Sequence, residues 1–238
     1  MDPSGYTTLT RQTGLMNEMQ TIANNIANAN TTGFRQEGMI FSEFVVSTDG
    51  GPSLSMARGN VRNTSYEQGT LTQTGGQLDF AIEGDGFFLI DTPRGERVTR
   101  AGSFSLSANG DLVTHDGYNV LDAGGAPIFI PPDATSVDVG RDGTISVNGA
   151  LLGQIGVVEA QNPGDLIREG GVLFRSETAL QPAENARVMQ GHLESSNVNP
   201  MLQIGRMIEV QRAYEMGQSF LDSENERVRD AIRSFAQR

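Results

Sequence analysis

Two stripes of regularly spaced apolar residues, one near each end of this 238-residue chain, constrain its fold more than any other feature. The first stripe contains Leu15, Met19, Ile22, Ile26 and Ala29. The second contains Met207, Val210, Tyr214, Gly217, Leu221, Glu224, Val228, Ala231 and Phe235, and is interrupted by two non-apolar positions. Steps of three and four residues place side chains on one face of an α-helix. The sequence therefore predicts a helix over residues 1–33, stopped by Gly33, and another over about 201–238.

The two stripes have no obvious partner within the chain except each other. An isolated helix of this length is marginal in water, so each apolar face needs a surface to pack on. We therefore expect the N- and C-terminal helices to pair as a coiled coil and then to pack against neighbouring subunits. The same spacing would suit two helices that cap the β-core of a monomer, and periodicity alone does not choose between these arrangements.

The middle of the chain is punctuated by pairs of turn-forming residues. These pairs are Asp49-Gly50, Asp85-Gly86, Asn109-Gly110, Asp116-Gly117, Asp142-Gly143 and Asn148-Gly149. Such pairs favour tight hairpins because they tolerate positive φ. Phe87 to Ile90 is continuously apolar and predicts a central strand, whereas alternation at Leu78, Phe80 and Ile82 predicts a strand with one buried face. Further predicted strands are Asp111 to Thr114, Asn119 to Leu121, Ile128 to Ile130, Val137 to Val139, Thr144 to Val147 and Gln154 to Ala160.

These patterns together predict an α+β fold in which a mainly β central domain of short antiparallel strands lies between terminal helices. We expect four parts along the chain. They are an N-terminal helix of an assembly domain (1–33), an extended or β linker region (34–70), a central β-domain (71–190) and a C-terminal helix of the assembly domain (191–238).

The charge balance argues against two classes of partner. The net charge is −12 and the isoelectric point about 4.6, so the chain should repel phosphate backbones and anionic lipid surfaces. We expect no nucleic-acid partner and no membrane insertion. The first residues lack the basic and apolar regions of a secretory signal, so we also expect no cleaved signal peptide.

No constellation of residues typical of catalysis or metal binding is visible. The chain has no Cys and no Lys, which excludes thiolate sites, disulfides and Schiff-base lysines. Its two histidines, His115 and His192, are far apart and lack metal-ligand spacing. Gly84-Asp85-Gly86 resembles the start of a dinucleotide fingerprint, but Leu89 stands where its third glycine would be. We therefore expect a protein that is not an enzyme and carries no cofactor or metal.

Four asparagines crowd the end of the predicted N-terminal helix: Asn24, Asn25, Asn28 and Asn30. Asparagine is a poor helix former, so the cluster is unusual. Buried amides can specify register where helices pack, as in coiled coils. The alternative is a solvated polar face, which the residues alone favour.

Several segments resemble the flagellar rod and hook protein family. Asn24 to Phe34 reads NNIANANTTGF, which is similar to the family's N-terminal signature. Leu193 to Asn199 reads LESSNVN and is followed by Met207-Ile208 and QRAYE at 211–215, which resemble the C-terminal signature. The central segments 71–90 and 99–106 are similar to the family's β-region. Short length and the Asn197-Val198-Asn199-Pro200 ending resemble the proximal rod type; the QRAYE segment is closer to the distal rod or hook type.

This resemblance implies a structural subunit of the flagellar basal-body rod that assembles through its terminal helices, lines the export channel and helps to transmit torque. It also implies export by the flagellar type III apparatus, residence in the periplasmic rod, and partners among other rod subunits and further copies of the chain. A distal rod or hook-type protein is the nearest alternative, and a secreted β-rich binding module a more distant one.

The resemblance assigns the assembly interface to two groups of residues. The N-terminal group is Leu15, Met19, Ile22, Asn24, Asn25, Ile26, Asn28, Gly33 and Phe34. The C-terminal group is Asn197, Asn199, Met207, Ile208, Val210, Gln211, Arg212, Tyr214 and Leu221.

Overall fold

The computed structural model describes residues 3–46 and 54–236, which form two compact units. The helical unit contains the chain up to Ala27, Gln36–Ser65, and the chain from Val198 onward. The β-unit contains Asn28–Arg35 and Tyr66–Asn197. Each unit is therefore built from segments that are distant in sequence.

The helical unit consists of two long helices and one hairpin. Its elements are α1 (Pro3–Ala27), β1 (Glu37–Val46), β2 (Leu54–Thr64) and α2 (Pro200–Ala236). The two strands pair antiparallel, with Glu37 opposite Thr64, and the register shifts between Ile40 and Phe41. Helix α1 packs against α2 and also contacts both strands of the hairpin.

The β-unit is built from short antiparallel strands. They are β3 (Leu71–Gln73), β4 (Phe80–Glu83), β5 (Phe87–Thr92), β6 (Gly95–Thr99), β7 (Phe104–Leu106), β8 (Leu112–Thr114), β9 (Asn119–Val120), β10 (Val137–Val139), β11 (Thr144–Val147), β12 (Ala150–Gln154), β13 (Val157–Ala160), β14 (Leu166–Gly170), β15 (Leu173–Ser176), β16 (Leu180–Pro182), β17 (Arg187–Gln190) and β18 (His192–Glu194). One short 3-10 helix, Pro163–Asp165, precedes β14.

The largest sheet has the strand order β14-β15-β6-β5-β9-β8-β7, and β13 joins it by pairing with both β5 and β16. Strands β10-β11-β12 form a second sheet, and β4 pairs with β17 and β3 with β18. Strand β5 is central, as predicted, and its apolar run Phe87 to Ile90 is buried. Two apolar clusters, one around Phe88 and one around Phe174, form the core of this unit.

Turn chemistry places the hairpin between β11 and β12. Asn148 and Gly149 both have positive φ, at 52° and 81°, and Val147 pairs with Ala150 across them. Two central residues with positive φ match the right-handed twist of the flanking strands. The predicted strands Val137 to Val139 and Thr144 to Val147 are confirmed with the same bounds. The predicted Asp49-Gly50 turn lies outside the described residues.

The strand predicted from Gln154 to Ala160 is divided, because β12 ends at Gln154 and β13 begins at Val157. Three further sequence expectations need correction. Helix α1 ends at Ala27, not at Gly33, because Asn28 and Thr31 form a turn in which Thr31 donates to both the backbone and the side-chain oxygen of Asn28. The apolar run Ile128 to Ile130 is not a strand, although isolated bridges join Phe129 to Asp111 and Pro127 to Leu121.

The third correction concerns β4, which is buried on both faces because Ala81 is as buried as Phe80 and Ile82. The linker predicted over 34–70 contains the two strands of the β1–β2 hairpin. The overall class is the predicted one: an α+β chain with a mainly β central region and a helix towards each end.

Candidate assembly site

Parts of the two apolar stripes, one on α1 and one on α2, face each other. Leu15 and Ile22 of α1 and Val210 of α2 are buried at their centre. Five partly buried side chains surround these three: Met19, Ile26, Met207, Ala213 and Tyr214. Burial of each large apolar side chain stabilises the pair by about 1.5–3 kcal/mol, so the periodic stripes join the two ends of the chain within the helical unit.

Polar side chains hold the two helices together beside this apolar seam. The Gln12 amide donates to the carbonyl oxygen of Tyr214 at 2.9 Å. Glu18 lies 2.8 Å from both the Nε and a terminal nitrogen of Arg206. The hydrogen bond with Glu18 is the main reason that the pKa of Arg206 is raised. These two contacts fix the register of α1 against α2.

Asn25 is buried and joins three segments of the helical unit. Its amide nitrogen donates to the backbone oxygen of Glu37 at 2.7 Å and to the side-chain oxygen of Gln203 at 3.2 Å. Its amide oxygen accepts from the backbone nitrogen of Glu37 at 2.9 Å. A side-chain amide can satisfy both backbone groups of one residue, so Asn25 holds the start of β1 against the helices.

Asn199 caps α2. Its side-chain oxygen accepts from the backbone nitrogens of Met201 and Leu202 at 3.1 and 3.3 Å. Pro200 follows at the first helical position, where a missing N–H costs nothing. The cap and the proline together explain why α2 begins at this point.

Within the β-unit, the N-terminal residues Gly33 and Phe34 lie beside the C-terminal residues Glu194 and Asn197. The backbone nitrogen of Gly33 donates to the carbonyl oxygen of Glu194 at 2.8 Å, and that of Asn197 donates to Phe34 at 3.3 Å. The Asn197 amide also donates to the backbone of Glu67 at 2.8 Å. The two signature segments therefore meet through their main chains.

A buried ion cluster surrounds that junction. The Glu194 carboxylate lies 3.0 Å from a guanidinium nitrogen of Arg35 and 3.0 Å from one of Arg100. All three side chains are almost completely buried, and the cluster carries one excess positive charge. Backbone carbonyls absorb part of that charge: Arg35 donates to Tyr66 and Glu67, and Arg100 donates to Ile82 and Gly84.

Burial lowers the pKa of both arginines. Desolvation lowers the pKa of Arg100 to about 10 and also lowers the pKa of Arg35, while the Glu194 charge acts in the opposite direction. Among the residues that the structure describes, the buried Nε of each arginine has no hydrogen-bond partner. A buried ion that loses its nearest counter-charge is strongly destabilised, so this cluster depends on Glu194.

Phe34 is covered by an arginine. The Arg168 guanidinium lies 4.5 Å from the centre of the Phe34 ring and 4.6 Å from that of Phe174. A cation between two aromatic faces gains electrostatic stabilisation from both rings. Phe34 is thus a core residue of the β-unit.

The predicted interface residues separate into three classes of exposure. Buried are Leu15, Ile22, Asn25, Gly33, Phe34 and Val210. Half-buried are Met19, Ile26, Asn28, Asn197, Met207, Tyr214 and Leu221. Exposed are Asn24, Asn199, Ile208, Gln211 and Arg212. The first class holds the chain's own fold together, and the third remains accessible to another molecule.

Sequence reasoning missed the three charged residues of the buried cluster, Arg35, Arg100 and Glu194. Each lies in or directly beside a segment that resembles the family, which was the available signal. Their pairing is tertiary, however, and spacing along the chain does not reveal it. Glu18 and Gln203, polar residues on the inner side of the helices, were missed for the same reason.

Helix α2 carries an unusual number of large exposed apolar side chains. They are Met201, Leu202, Ile204, Ile208, Met216, Phe220, Val228 and Ile232. Single exposed apolar residues are ordinary, but a contiguous series on one helix indicates a binding surface. Five residues of α2 recur every four positions: Ile204, Ile208, Arg212, Met216 and Phe220. We call these five residues the outer row.

Within residues 3–46 and 54–236, neither helix is both long and apolar enough to cross a membrane. In the same part of the chain, no three potential His, Asp or Glu ligands converge as a metal site would require.

Three family models match successive parts of the chain. Residues 6–35 match the flagella basal body rod protein model, and residues 81–147 match the D1 domain of the flagellar hook protein FlgE/F/G. Residues 189–234 match the C-terminal region of the flagellar basal body rod FlgEFG proteins. The first and third matches contain the residues of α1 and α2 that pack together.

The chain is also similar to named proteins over nearly its full length. It is 41% identical to the flagellar basal-body rod protein FlgF of Caulobacter vibrioides, covering 98% of this chain and 97% of that protein. It is 41% identical to FlgF of Mesorhizobium japonicum, covering 90% of each. Identity to the rod protein FlgG of Bacillus subtilis is 33%, covering 95% of this chain and 97% of that one.

Proposed function

The chain belongs to the flagellar basal-body rod protein family, and from that premise we propose that its two helices carry the contacts by which it joins the rod. The chain is a FlgF-like structural subunit of the rod, and it is not an enzyme. Assembly with other flagellar rod and hook proteins follows from membership of this family. Our proposal concerns which surface of the chain makes the assembly contacts.

The observation that carries this proposal is the outer row of α2. One side of the helix already packs on α1, so its inner apolar residues are satisfied within the chain. The outer row remains in water and gains about 1.5–3 kcal/mol for each large side chain that a neighbour covers. A subunit that repeats the same contact in every copy gains this stabilisation at each copy.

We propose further that the paired helices extend this packing as a coiled coil and form the inner layer of the rod around the export channel. Heptad spacing supports supercoiled packing among several helices, because each apolar residue then inserts between residues of its neighbour. In this arrangement the assembled subunits transmit torque.

Export by the flagellar type III apparatus and residence in the periplasmic rod complete the proposal. Family membership supports both, and the lack of Cys suits a chain that is threaded through a narrow channel without disulfides. The amino-terminal residue of the rod-bound protein tests the absence of signal cleavage: sequencing should find the encoded start. A strain without the export apparatus should retain the chain inside the cell.

Replacing Ile208 by Asp tests the assembly surface. Ile208 is 46% exposed, so Ile208→Asp should leave the melting temperature of the purified chain within a few degrees of wild type. The carboxylate would oppose burial in the rod, so the amount of chain in purified basal bodies should fall severely. Gln218→Asp is the matched control, because Gln218 is exposed on the same helix and outside the outer row.

Two results would contradict the proposal. Normal incorporation of Ile208→Asp into basal bodies would exclude the outer row as an assembly contact. A large loss of melting temperature in the purified chain would mean that Ile208 stabilises the fold itself.

A further inference from the structure

The outer row of α2 cannot be covered by a single neighbour. Each step of four residues advances the helix by about 40° beyond a full turn, so four steps separate Ile204 from Phe220 by about 160°. Ile204 and Phe220 therefore point to opposite flanks of α2. Two different surfaces are needed to bury the two ends of the row.

The Phe220 end of the row forms one side of a groove between the helices. The groove is lined by Thr8, Arg11, Gln12 and Leu15 of α1 and by Ala213, Met216, Gly217 and Phe220 of α2. Its floor depends on Gly217, because a Cβ there would lie only 2.2 Å from the Gln12 amide nitrogen. The absence of a side chain at Gly217 thus allows α1 to approach closely and leaves the groove open.

The groove also contains an unsatisfied acceptor. Gln12 is 7% exposed, and its amide nitrogen is engaged by Tyr214. Its amide oxygen is buried and has no hydrogen-bond partner among the described residues. An unpaired buried acceptor is unfavourable, and a donor brought by another molecule would satisfy it.

The opposite flank of α2 protrudes and carries a donor. Met201, Ile204 and Ile208 are exposed apolar residues there, and Met201 is 76% exposed. Arg212 follows them on the same row and makes no ion pair among the described residues. This flank therefore presents apolar side chains and a guanidinium, while the groove is lined by apolar side chains together with Thr8, Arg11 and Gln12, whose unpaired amide oxygen is buried.

We propose that the protruding flank Met201 to Arg212 of one copy binds in the α1–α2 groove of the next copy, with Arg212 donating to the side-chain oxygen of Gln12. The inference rests on the proposed rod-subunit function and specifies its contact. The two surfaces are different, so the contact is heterologous. A heterologous contact continues from copy to copy as a ring or helix, whereas a self-complementary one stops at a dimer.

Site-directed disulfide cross-linking tests this arrangement cleanly because the chain has no Cys. Two single variants, Ile208→Cys on the protruding flank and Phe220→Cys in the groove, are produced together in cells that lack the wild-type copy. Basal bodies are isolated, treated with a mild oxidant and analysed for cross-linked chains. Both positions are exposed, and melting temperatures of the purified full-length variants confirm that each one folds.

We expect a cross-linked dimer from the mixture and none from either variant alone. The double variant Ile208→Cys/Phe220→Cys should give a ladder of longer species, because each copy then offers both surfaces. Ala108→Cys mixed with Ile208→Cys is the control, since Ala108 is exposed on a turn of the β-unit, and it should give no dimer.

Dimers from Ile208→Cys alone would overturn the proposal, because the protruding flank would then meet itself. Basal bodies that contain both variants but yield no cross-link would also overturn it, while leaving the rod-subunit function intact. Basal bodies in which even the wild-type chain is absent would instead refute the proposed function.

The Arg212 contact has its own test. Arg212→Ala should lower incorporation into basal bodies by roughly tenfold, the change expected when one charge-assisted hydrogen bond is lost. Arg229→Ala, at another exposed arginine of α2, should leave incorporation unchanged. Equal incorporation of the two variants would exclude Arg212 as the donor.

Discussion

The Glu194 carboxylate lies 3.0 Å from the Arg35 guanidinium, and each side chain is only 1% exposed. Arg35 directly follows the N-terminal signature segment, and Glu194 belongs to the C-terminal one. The two segments that mark this family are therefore joined inside the β-unit by a buried charge pair. Residues near both ends of the chain contribute to the fold of its centre as well as to the helices.

Glu194→Gln should destabilise the protein by about 3–5 kcal/mol, because two buried arginines would lose their counter-ion. Urea unfolding followed by circular dichroism measures this free energy. Glu169→Gln is the matched control: Glu169 also pairs with arginines, namely Arg97 at 2.8 Å, Arg175 at 3.0 Å and Arg94 at 3.8 Å, but is 24% exposed. Its loss should cost much less than the loss of Glu194, because solvent screens a partly exposed ion pair. Equal effects would show that burial does not strengthen the dependence on Glu194.

Gly33→Ala should be strongly destabilising for two separable reasons. The first reason is the backbone conformation: Gly33 has a φ of 68°, which is unfavourable by about 1–2 kcal/mol for a residue with a Cβ. The second is steric, because the new Cβ would lie 2.3 Å from the backbone of Ala101. Gly75→Ala isolates the cost of the backbone conformation, because Gly75 has a φ of 74° and open space around it. We expect Gly33→Ala to cost at least about 2 kcal/mol more in urea unfolding. Similar losses in the two variants would exclude the steric contribution.

Asn25→Ala should lower the free energy of unfolding by about 2–3 kcal/mol. The change removes both hydrogen bonds to the Glu37 backbone and leaves buried polar groups without partners. Gln20→Ala, at an exposed position of the same helix, should change it by less than about 0.5 kcal/mol. If Asn25→Ala were as mild as the control, the amide would not hold β1 against the helices.

Residues 28–35 should be required for the full stability of the β-unit. A fragment of residues 28–197 should unfold cooperatively, and a fragment of 36–197 should be less stable by about 3 kcal/mol or more. The shorter fragment lacks Phe34 and Arg35, which are both 1% exposed. Thermal unfolding of the two fragments makes the comparison. Equal melting temperatures would mean that this segment only covers an already complete core.

Local sequence patterns predicted the secondary-structure elements that depend on residues close together in the sequence. Strands β10 and β11 matched because the Asp142-Gly143 turn and the apolar alternation act within a few residues. The facing stripes of α1 and α2 were likewise visible in the three- and four-residue spacing. Ile128 and Ile130 are buried, yet this run forms no strand, since an apolar run indicates burial without specifying hydrogen bonding.

Contacts between residues that are distant in sequence explain the features that local patterns did not predict. Gly33 suited a helix stop by residue type, but its actual role is a close approach to Ala101 in the β-unit. Asn25 suggested either a register-setting amide or a solvated face, and its partner proved to be the backbone of β1. The outer row was only partly recognised: Ile208 and Arg212 came from the family resemblance, whereas Met216 and Phe220 lie outside both the resemblance and the inner stripe.

A density map of the intact basal body tests the central claim most directly, namely that this rod subunit assembles through the outer side of its paired helices. The account predicts that α1 and α2 form the inner layer and that helices of neighbouring subunits cover Ile204, Ile208 and Phe220. A map in which these side chains face water, and in which neighbours meet only through β-units, would contradict it.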